Sequence, residues 1–372
     1  MRRAAGPRVR SDGSSGRGAS GGDGSSSRPA RPEANGSSGR ERLRKALRLR
    51  EPSPVSAETA RARRSEVNSR ALEETPQDKN YQSLADAHSS MRIMAGAAAA
   101  AATATGGKVY VVTGATDGIG RLTATLLGRD GHTVAVHGRT PSKVQDVCRE
   151  IDAAGGRAHP FVADLSRLDD VRRLGTEIAG TFDSIDGLLN NAGTFSGDYT
   201  GKRVATADGH EYSLAVNVLA PFLLTSLLLD RVRASGAGRV LVTSSISMGS
   251  GDALDDLDCE DQWSEHRAYS LSKLCCAMIA MELHERYGDA PKLCVNTMDP
   301  GTVNTKMLIA GWGRCGIPVA QATTSYKMLS TDEWGQKSGE CHGAWMDAEC
   351  RDPAARKKLW EDLTRMTGAV YP

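Results

Sequence analysis

The stretch KVYVVTGATDGIGRLTATLLGRDGHTVAVHGRT, residues 108–140, changes character at short intervals. Val109 to Thr113 is a compact β-branched run of the kind that forms a buried strand. Gly114, Gly118 and Gly120 follow within one short loop. RLTATLLGRDG then carries its apolar residues at helical spacing, and HTVAVHG is a second strand-like run. Strand, glycine loop, helix and strand in this order make a βαβ unit of the usual ~30-residue length.

The alternation continues downstream. RAHPFVADLS (157–166), LDDVRRLGTEIAG, SIDGLLNNAG (184–193), HEYSLAVNVLAPFLLTSLLLDRVRAS, GRVLVTSS (238–245) and KLCVN read as strand, helix, strand, helix, strand and strand. The spacing of Ser166 and Asp169, with two acids ahead of VRRL, predicts a helix N-terminus there. Regular alternation predicts an α/β fold: one doubly wound parallel sheet with helices on both faces. We therefore expect a single domain over 107–372. Ligands on such sheets sit beyond the carboxyl ends of the strands. Those ends hold Gly114 to Gly120, Arg139, Asp164, Asn191, Ser245 and the segment MDPGTVNT at 298–305.

Residues 1–106 have a different composition. SDGSSGRGASGGDGSSSRPARPEANGSSGR and AGAAAAAATATGG offer few branched apolar or aromatic side chains, which predicts a disordered Arg/Ser/Gly/Ala-rich leader. The leader carries 19 Lys+Arg against 11 Asp+Glu, so the overall charge of +2 hides a basic head on an acidic body. A basic, Ser-rich head fits a solvated leader, an RNA- or lipid-contacting tail, or an organelle transit peptide. LAPFLLTSLLL at 219–229 is too short for a bilayer span, and no secretory h-region is present, so a soluble protein is expected. The eight cysteines lack C-x-x-C spacing and the histidines lack H-x-x-x-H spacing. Thiols used as core fillers, a reducing compartment and no metal centre are expected.

The residue types at the strand ends suggest chemistry. A pyrophosphate must approach backbone N–H groups at a helix N-terminus closely, and glycines at 114, 118 and 120 permit that. Arg139 stands just past the second strand, where an acid would take the adenosine ribose hydroxyls and an arginine can pair with a 2′-phosphate. That favours NADP(H) over NAD(H), with a plain surface arginine as the alternative. In RAYSLSKL (267–274), Tyr269 and Lys273 stand four apart and share one helix face. The pair is either solvated or a proton relay, because a nearby cation makes a phenol of pKa ~10 usable as an acid or base. Ser245, at a strand end, is placed to polarise a carbonyl oxygen.

Together these motifs resemble the short-chain dehydrogenase/reductase family, from about Lys108 to the C-terminus. The matching residues are Thr113, Gly114, Gly118, Ile119 and Gly120 of a T-G-x-x-x-G-I-G loop, NNAG at 190–193, Asn217 in AVNVLAPFLLT, Ser245, Tyr269, Lys273 and Pro300-Gly301. TADGHEYSLAVN, the serine-to-tyrosine gap and KKLWEDLTRMTG look like the retinol-dehydrogenase and WW-domain-oxidoreductase branch. The resemblance implies a Rossmann-type fold and an oxidoreductase transferring hydride between NADP(H) and a carbonyl or alcohol. Protochlorophyllide-reductase-like chemistry and a non-catalytic nucleotide-binding scaffold are the alternatives. It implies Tyr269 as the acid/base, Lys273 as its partner and ribose ligand, Ser245 as the carbonyl donor, and Asn217 in a backbone and water relay. It further implies cofactor contacts from Gly114, Thr116, Asp117, Gly118, Ile119, Gly120, Arg139, Asp164, Leu165, Asn191, Pro300, Val303 and Thr305. Asp117 stands where many NADP-dependent relatives carry a base, which leaves Arg139 to meet the 2′-phosphate largely unaided.

Phe195, Tyr199, Met248, Trp263 and Trp312 are expected to line the substrate pocket, which suggests an apolar carbonyl or alcohol. The acidic run Asp252 to Asp261 reads as a solvated loop. LSKLCCAMIAMEL offers either a homodimer seam or a face packed on the sheet. No firm nucleic-acid or membrane partner is indicated. The expected compartment is the cytoplasm, with plastid or mitochondrion as the alternative if the leader is a transit peptide.

Overall fold

The structure is a computed structural model that describes residues 107–195 and 201–372. The expected leader and Tyr199 lie outside the described residues.

Seven parallel strands form one sheet in the order β3-β2-β1-β4-β5-β6-β7. They are β1 (Val109–Val112), β2 (Thr133–Gly138), β3 (Arg157–Val162), β4 (Gly187–Asn190), β5 (Gly238–Thr243), β6 (Leu293–Met298) and β7 (Cys341–His342). The principal helices are α1 (Gly118–Arg129), α2 (Pro141–Ala153), α3 (Leu168–Thr181), α4 (Ala220–Ala234), α5 (Glu265–Tyr287), α6 (Lys306–Trp312), α7 (Thr324–Ser330) and α8 (Pro353–Thr367).

Successive residues of a strand serve opposite faces. Val111, Leu188, Val240 and Val295 join the core formed with α3, α4, α5 and α8, whereas Val112, Leu189 and Leu241 join the core under α1, α2 and α7. The two-sided burial explains why the strands are near-continuous apolar runs. Strand order reverses between β1 and β4, so a crevice opens there at the carboxyl edge of the sheet.

Three local details refine the sequence expectations. The helix after β3 begins at Leu168, and Ser166 does not cap it: the Ser166 hydroxyl donates to Asp164 at 2.9 Å. The Leu168 amide donates instead to Asp208 at 2.8 Å, a cap supplied from forty residues away. The helix containing Asn217 includes a π-helical turn, Ala215–Leu219, and runs in all from Tyr212 to Ala234. By length and composition it could cross a membrane, but 83% of its apolar window is buried inside the fold. Finally, the LSKLCCAMIAMEL stripe is covered within the chain. Ala268 to Leu283 of α5 is almost wholly buried, and α8 packs on α5 with Arg356 bonded to buried Glu282 at 3.2 Å. Six of the cysteines, Cys275 and Cys276 among them, are buried free thiols.

Candidate active site

The parallel sheet brings the strand-end residues to one edge. Gly114 and Gly118 adopt φ of 65° and 53°, conformations that cost other residues energy. A Cβ on Gly114 would lie 2.9 Å from the Ala192 Cα, and one on Gly120 would lie 2.3 Å from the Gly114 carbonyl oxygen. The glycines therefore let the loop fold tightly onto the crevice and onto the start of α1. Asp117 caps α1 by accepting from the Gly118 amide at 2.8 Å, and its carboxylate pairs with Lys306 of α6. Burial works against the ionised form of Asp117, but the bonds from Lys306 and Gly118 hold its carboxyl below the usual range.

Several expected cofactor residues brace the loop. Asn191 donates from Nδ2 to the Thr113 carbonyl at 3.0 Å, and the Thr113 hydroxyl accepts from the Asn191 and Ala192 amides at 2.9 and 3.0 Å. Ile119 and Val303 pack together with Ala322. Thr305 caps α6 and seats its methyl against Gly118. Asp164 accepts from the Ser166 amide at 3.0 Å, and the Leu165 side chain is buried in the core. Any contact from Leu165 to a base must come from its backbone.

At the end of β2, Gly138 has no room for a side chain because Thr116 lies over it. Arg139 points outward and donates to the Tyr212 hydroxyl at 2.9 Å. Thr116 also lines a cavity of ≈ 240 Å³, together with Asp117, Arg121, Lys143, Asp146 and Lys306. Arg121 pairs with Glu150 and Lys306 with Asp117, while Lys143 makes no ion pair among the described residues. Sequence reasoning missed Lys143, which stands in the first turn of α2 and gains its meaning from the cavity wall.

Past β5 and on α5 lie the chemical groups. Ser244 and Ser245 point different ways. The Ser244 hydroxyl is buried and donates to the Lys273 carbonyl at 2.6 Å, whereas Ser245 is half-buried and its hydroxyl meets that of Tyr269. Lys273 is 3% exposed, donates to the Thr243 carbonyl at 2.9 Å, and its ammonium lies 5.7 Å from the Tyr269 ring centroid. Burial pushes the Tyr269 hydroxyl well above the ordinary phenol range, and the Ser245 hydrogen bond opposes that rise. Asn217 is 2% exposed, and its side chain clamps the Thr194 backbone at 2.8 and 3.0 Å while donating to the Ser272 hydroxyl at 2.9 Å. Its carbonyl accepts from the Cys276 thiol at 3.0 Å.

Phe195 and Trp312 close over Tyr269, with ring centroids 5.4 and 5.6 Å from it. His266, one turn earlier on α5, joins the same aromatic cluster. Met248 and Trp263 do not reach it. Met248 is buried in the core, and Trp263 packs against that core with its indole N–H bonded to Glu211 at 3.3 Å. The acidic run is divided between its own loop and its neighbours: Asp256 accepts from the Glu260 and Asp261 amides, Asp258 meets Arg203 and His210, Asp252 pairs with Arg267 of α5, and Asp255 pairs with Lys358 of α8.

Residues 108–311 match the short chain dehydrogenase family model. The chain belongs to the short-chain dehydrogenase family. It is an NAD(P)-dependent oxidoreductase acting on alcohol or carbonyl groups of a small-molecule substrate. The family's nucleotide suits the glycine cradle described above. This dehydrogenase is 35% identical to mouse (Mus musculus) polyprenol dehydrogenase over 71% of its own length and 84% of that protein's. It is 30% identical to human (Homo sapiens) retinol dehydrogenase 14, covering 71% of this chain and 87% of that one. Among solved structures, it resembles a short-chain dehydrogenase from Shigella flexneri complexed with NADP. That match has a TM-score of 0.52 and 27% identity, covering 63% of this dehydrogenase and 95% of that chain.

Proposed function

We propose that this dehydrogenase is NADP(H)-preferring and reduces or oxidises an apolar carbonyl/alcohol pair, with Ser245, Tyr269 and Lys273 as its catalytic residues. The observation that carries the proposal is the convergence of the Ser245 hydroxyl, the Tyr269 hydroxyl and the buried Lys273 ammonium beneath Phe195 and Trp312.

A nicotinamide nucleotide held by the Gly114–Gly120 loop would supply or accept the hydride. In reduction, Tyr269 donates its proton to the substrate oxygen, and in oxidation its phenolate takes the proton back. The Lys273 ammonium, held by the Thr243 carbonyl, stabilises that phenolate, and Ser245 hydrogen-bonds the reacting oxygen. Asn217 fixes the Thr194 backbone at the edge of the site, which keeps Phe195 over Tyr269. The aromatic cluster excludes water and favours an apolar substrate body. Relatives named for polyprenol and retinol support that substrate class.

NADP(H) preference rests on Arg139 together with Lys143, which makes no ion pair among the described residues; both are cations following β2 and suited to a 2′-phosphate. The NADP complex of the Shigella flexneri relative supports it.

The test is turnover of NADPH and NADH by the full chain with long-chain and short-chain aldehydes, ketones and their alcohols. Faster turnover with NADPH and the longer apolar members is expected. Tight cofactor binding with no turnover of any pair would favour a nucleotide-binding scaffold.

A further inference from the structure

The residue before Pro300-Gly301 is an acid in a place where an acid is costly. Asp299 is 7% exposed and makes no ion pair among the described residues. Burying a carboxylate without a paired cation is unfavourable: burial pushes the Asp299 carboxyl above its usual range, and the Gly301 and Ile246 amides and the Lys273 ammonium oppose that rise. The sheet register sets its backbone beside the residue that anchors a buried cation. Met298, the last residue of β6, pairs with Thr243 of β5, and the Ser244 amide donates to the Met298 carbonyl at 2.8 Å. Thr243 is also the residue whose carbonyl holds the Lys273 ammonium at 2.9 Å. Asp299 therefore follows directly on the strand position that faces the anchor of Lys273.

Its own bonds tie three segments together. The carboxylate accepts from the Gly301 amide at 3.1 Å and meets the Ile246 amide of the loop that bears Ser245. Its backbone amide donates to His342 at the end of β7 at 2.8 Å. One buried side chain thus joins the serine loop to the Pro300-Gly301 turn, behind the Tyr269 and Lys273 pair.

We propose that Asp299 is a positioning residue of this site: its carboxylate balances the buried Lys273 ammonium, registers the Ser245 loop against the Pro300-Gly301 turn, and favours Tyr269 as a proton donor. The proposal rests on the catalytic reading given above. The groups facing Tyr269 are the Ser245 hydroxyl, Asp299, the Cys276 thiol and the Lys273 ammonium, with the His266 ring in the aromatic cluster. Those facing Asp299 are Lys273, the two backbone amides, Tyr269 and the Cys341 thiol. Of these neighbours, Asp299 is the carboxylate that opposes formation of a Tyr269 phenolate. A negative charge at that place suits reduction, in which Tyr269 must hold its proton until transfer.

The test compares the full chain with Asp299→Asn, which keeps an acceptor for Gly301 but removes the charge, and with Asp299→Ala, which removes both. Tyrosine labelled with ¹³C at Cζ reports ionisation of Tyr269 by NMR titration, with Tyr269→Phe to assign the signal. Asp299→Asn is expected to make Tyr269 titrate earlier, by on the order of one pH unit. With geraniol and geranial as the probe pair, the acid limb of kcat/KM for oxidation moves down by a similar amount, and the ratio of oxidation to reduction at neutral pH rises. An unchanged Tyr269 titration in Asp299→Asn, or a fall in kcat at every pH with no movement of the limb, overturns the proposal. Absence of any turnover in the parent chain would count against the catalytic reading, and the NMR titration would still decide the role of Asp299.

Discussion

Gly120→Ala is the substitution whose effect follows most directly from the geometry of the loop. The added Cβ would lie 2.3 Å from the Gly114 oxygen, 2.6 Å from Asn191 Nδ2 and 2.9 Å from the Gly114 carbonyl carbon. Ordinary contacts of this kind need about 3.5 Å, so the loop and α1 must part by roughly 1 Å. None of the three obstacles is the end of a flexible chain: two are backbone, and Asn191 is already committed to the Thr113 carbonyl at 3.0 Å. Overpacking costs about 1–3 kcal/mol, and loss of the Asn191 bond adds about 1 kcal/mol. If about 2–3 kcal/mol of that falls on the nucleotide cradle, NADPH binds ~30- to 150-fold more weakly. Fluorescence titration of NADPH measures this, with a thermal melt alongside to confirm folding. Gly180→Ala is the control. Gly180 is exposed near the end of α3 with nothing within 4 Å, so alanine there should leave binding unchanged and raise stability by about 0.5 kcal/mol. A Gly120→Ala chain that binds NADPH within about threefold of the parent would refute the tight-cradle account.

Arg139→Ala and Lys143→Ala are each expected to weaken NADPH binding by ~10- to 100-fold, the worth of a charge-assisted bond to a phosphate, while NADH affinity stays level. Competition titrations with both nucleotides check this. His137 gives a pH prediction. Its Nδ1 accepts from the Gly114 amide at 3.3 Å, so Nε2 carries the hydrogen toward the Ala163 carbonyl at 3.2 Å. Burial pushes its pKa from 6.5 down to about 4. The unfolded chain takes the proton first, so this stabilisation is present above pH ~6.5 and is lost as pH falls toward about 4, by roughly 2–3 kcal/mol. Urea midpoints at pH 7.5 and 4.5 should show the loss, and His137→Gln should flatten it.

The fold was legible because its strands are buried on both faces and therefore stand out as apolar runs, while the glycine loop marks the start of the sheet. The candidate site was legible where local spacing decides: Tyr269 and Lys273 share a helix face, and Ser244 and Ser245, just past β5, point different ways. Where long-range packing decides, the sequence was silent. Asp208 capping α3 from a distant loop, Met248 turning into the core, and α8 covering α5 all depend on tertiary neighbours that no local period encodes. Asn191 is an intermediate case. It reaches the crevice as expected, but its amide is spent on Thr113, so it shapes the glycine loop. Lys143 and Asp299 were overlooked because a lysine in a first helical turn and an acid before a proline have no distinctive pattern; only the cavity wall and the sheet register give them meaning.

The most direct test of the central claim is NADPH oxidation by the full chain and by Tyr269→Phe, with an apolar aldehyde or ketone that the parent chain reduces. The account predicts that the phenylalanine variant binds NADPH as tightly as the parent while its kcat falls by ~10²- to 10⁴-fold, the usual worth of a positioned proton donor. A Tyr269→Phe chain that turns over at the parent rate would show that the proton comes from elsewhere and would contradict the assignment of Tyr269.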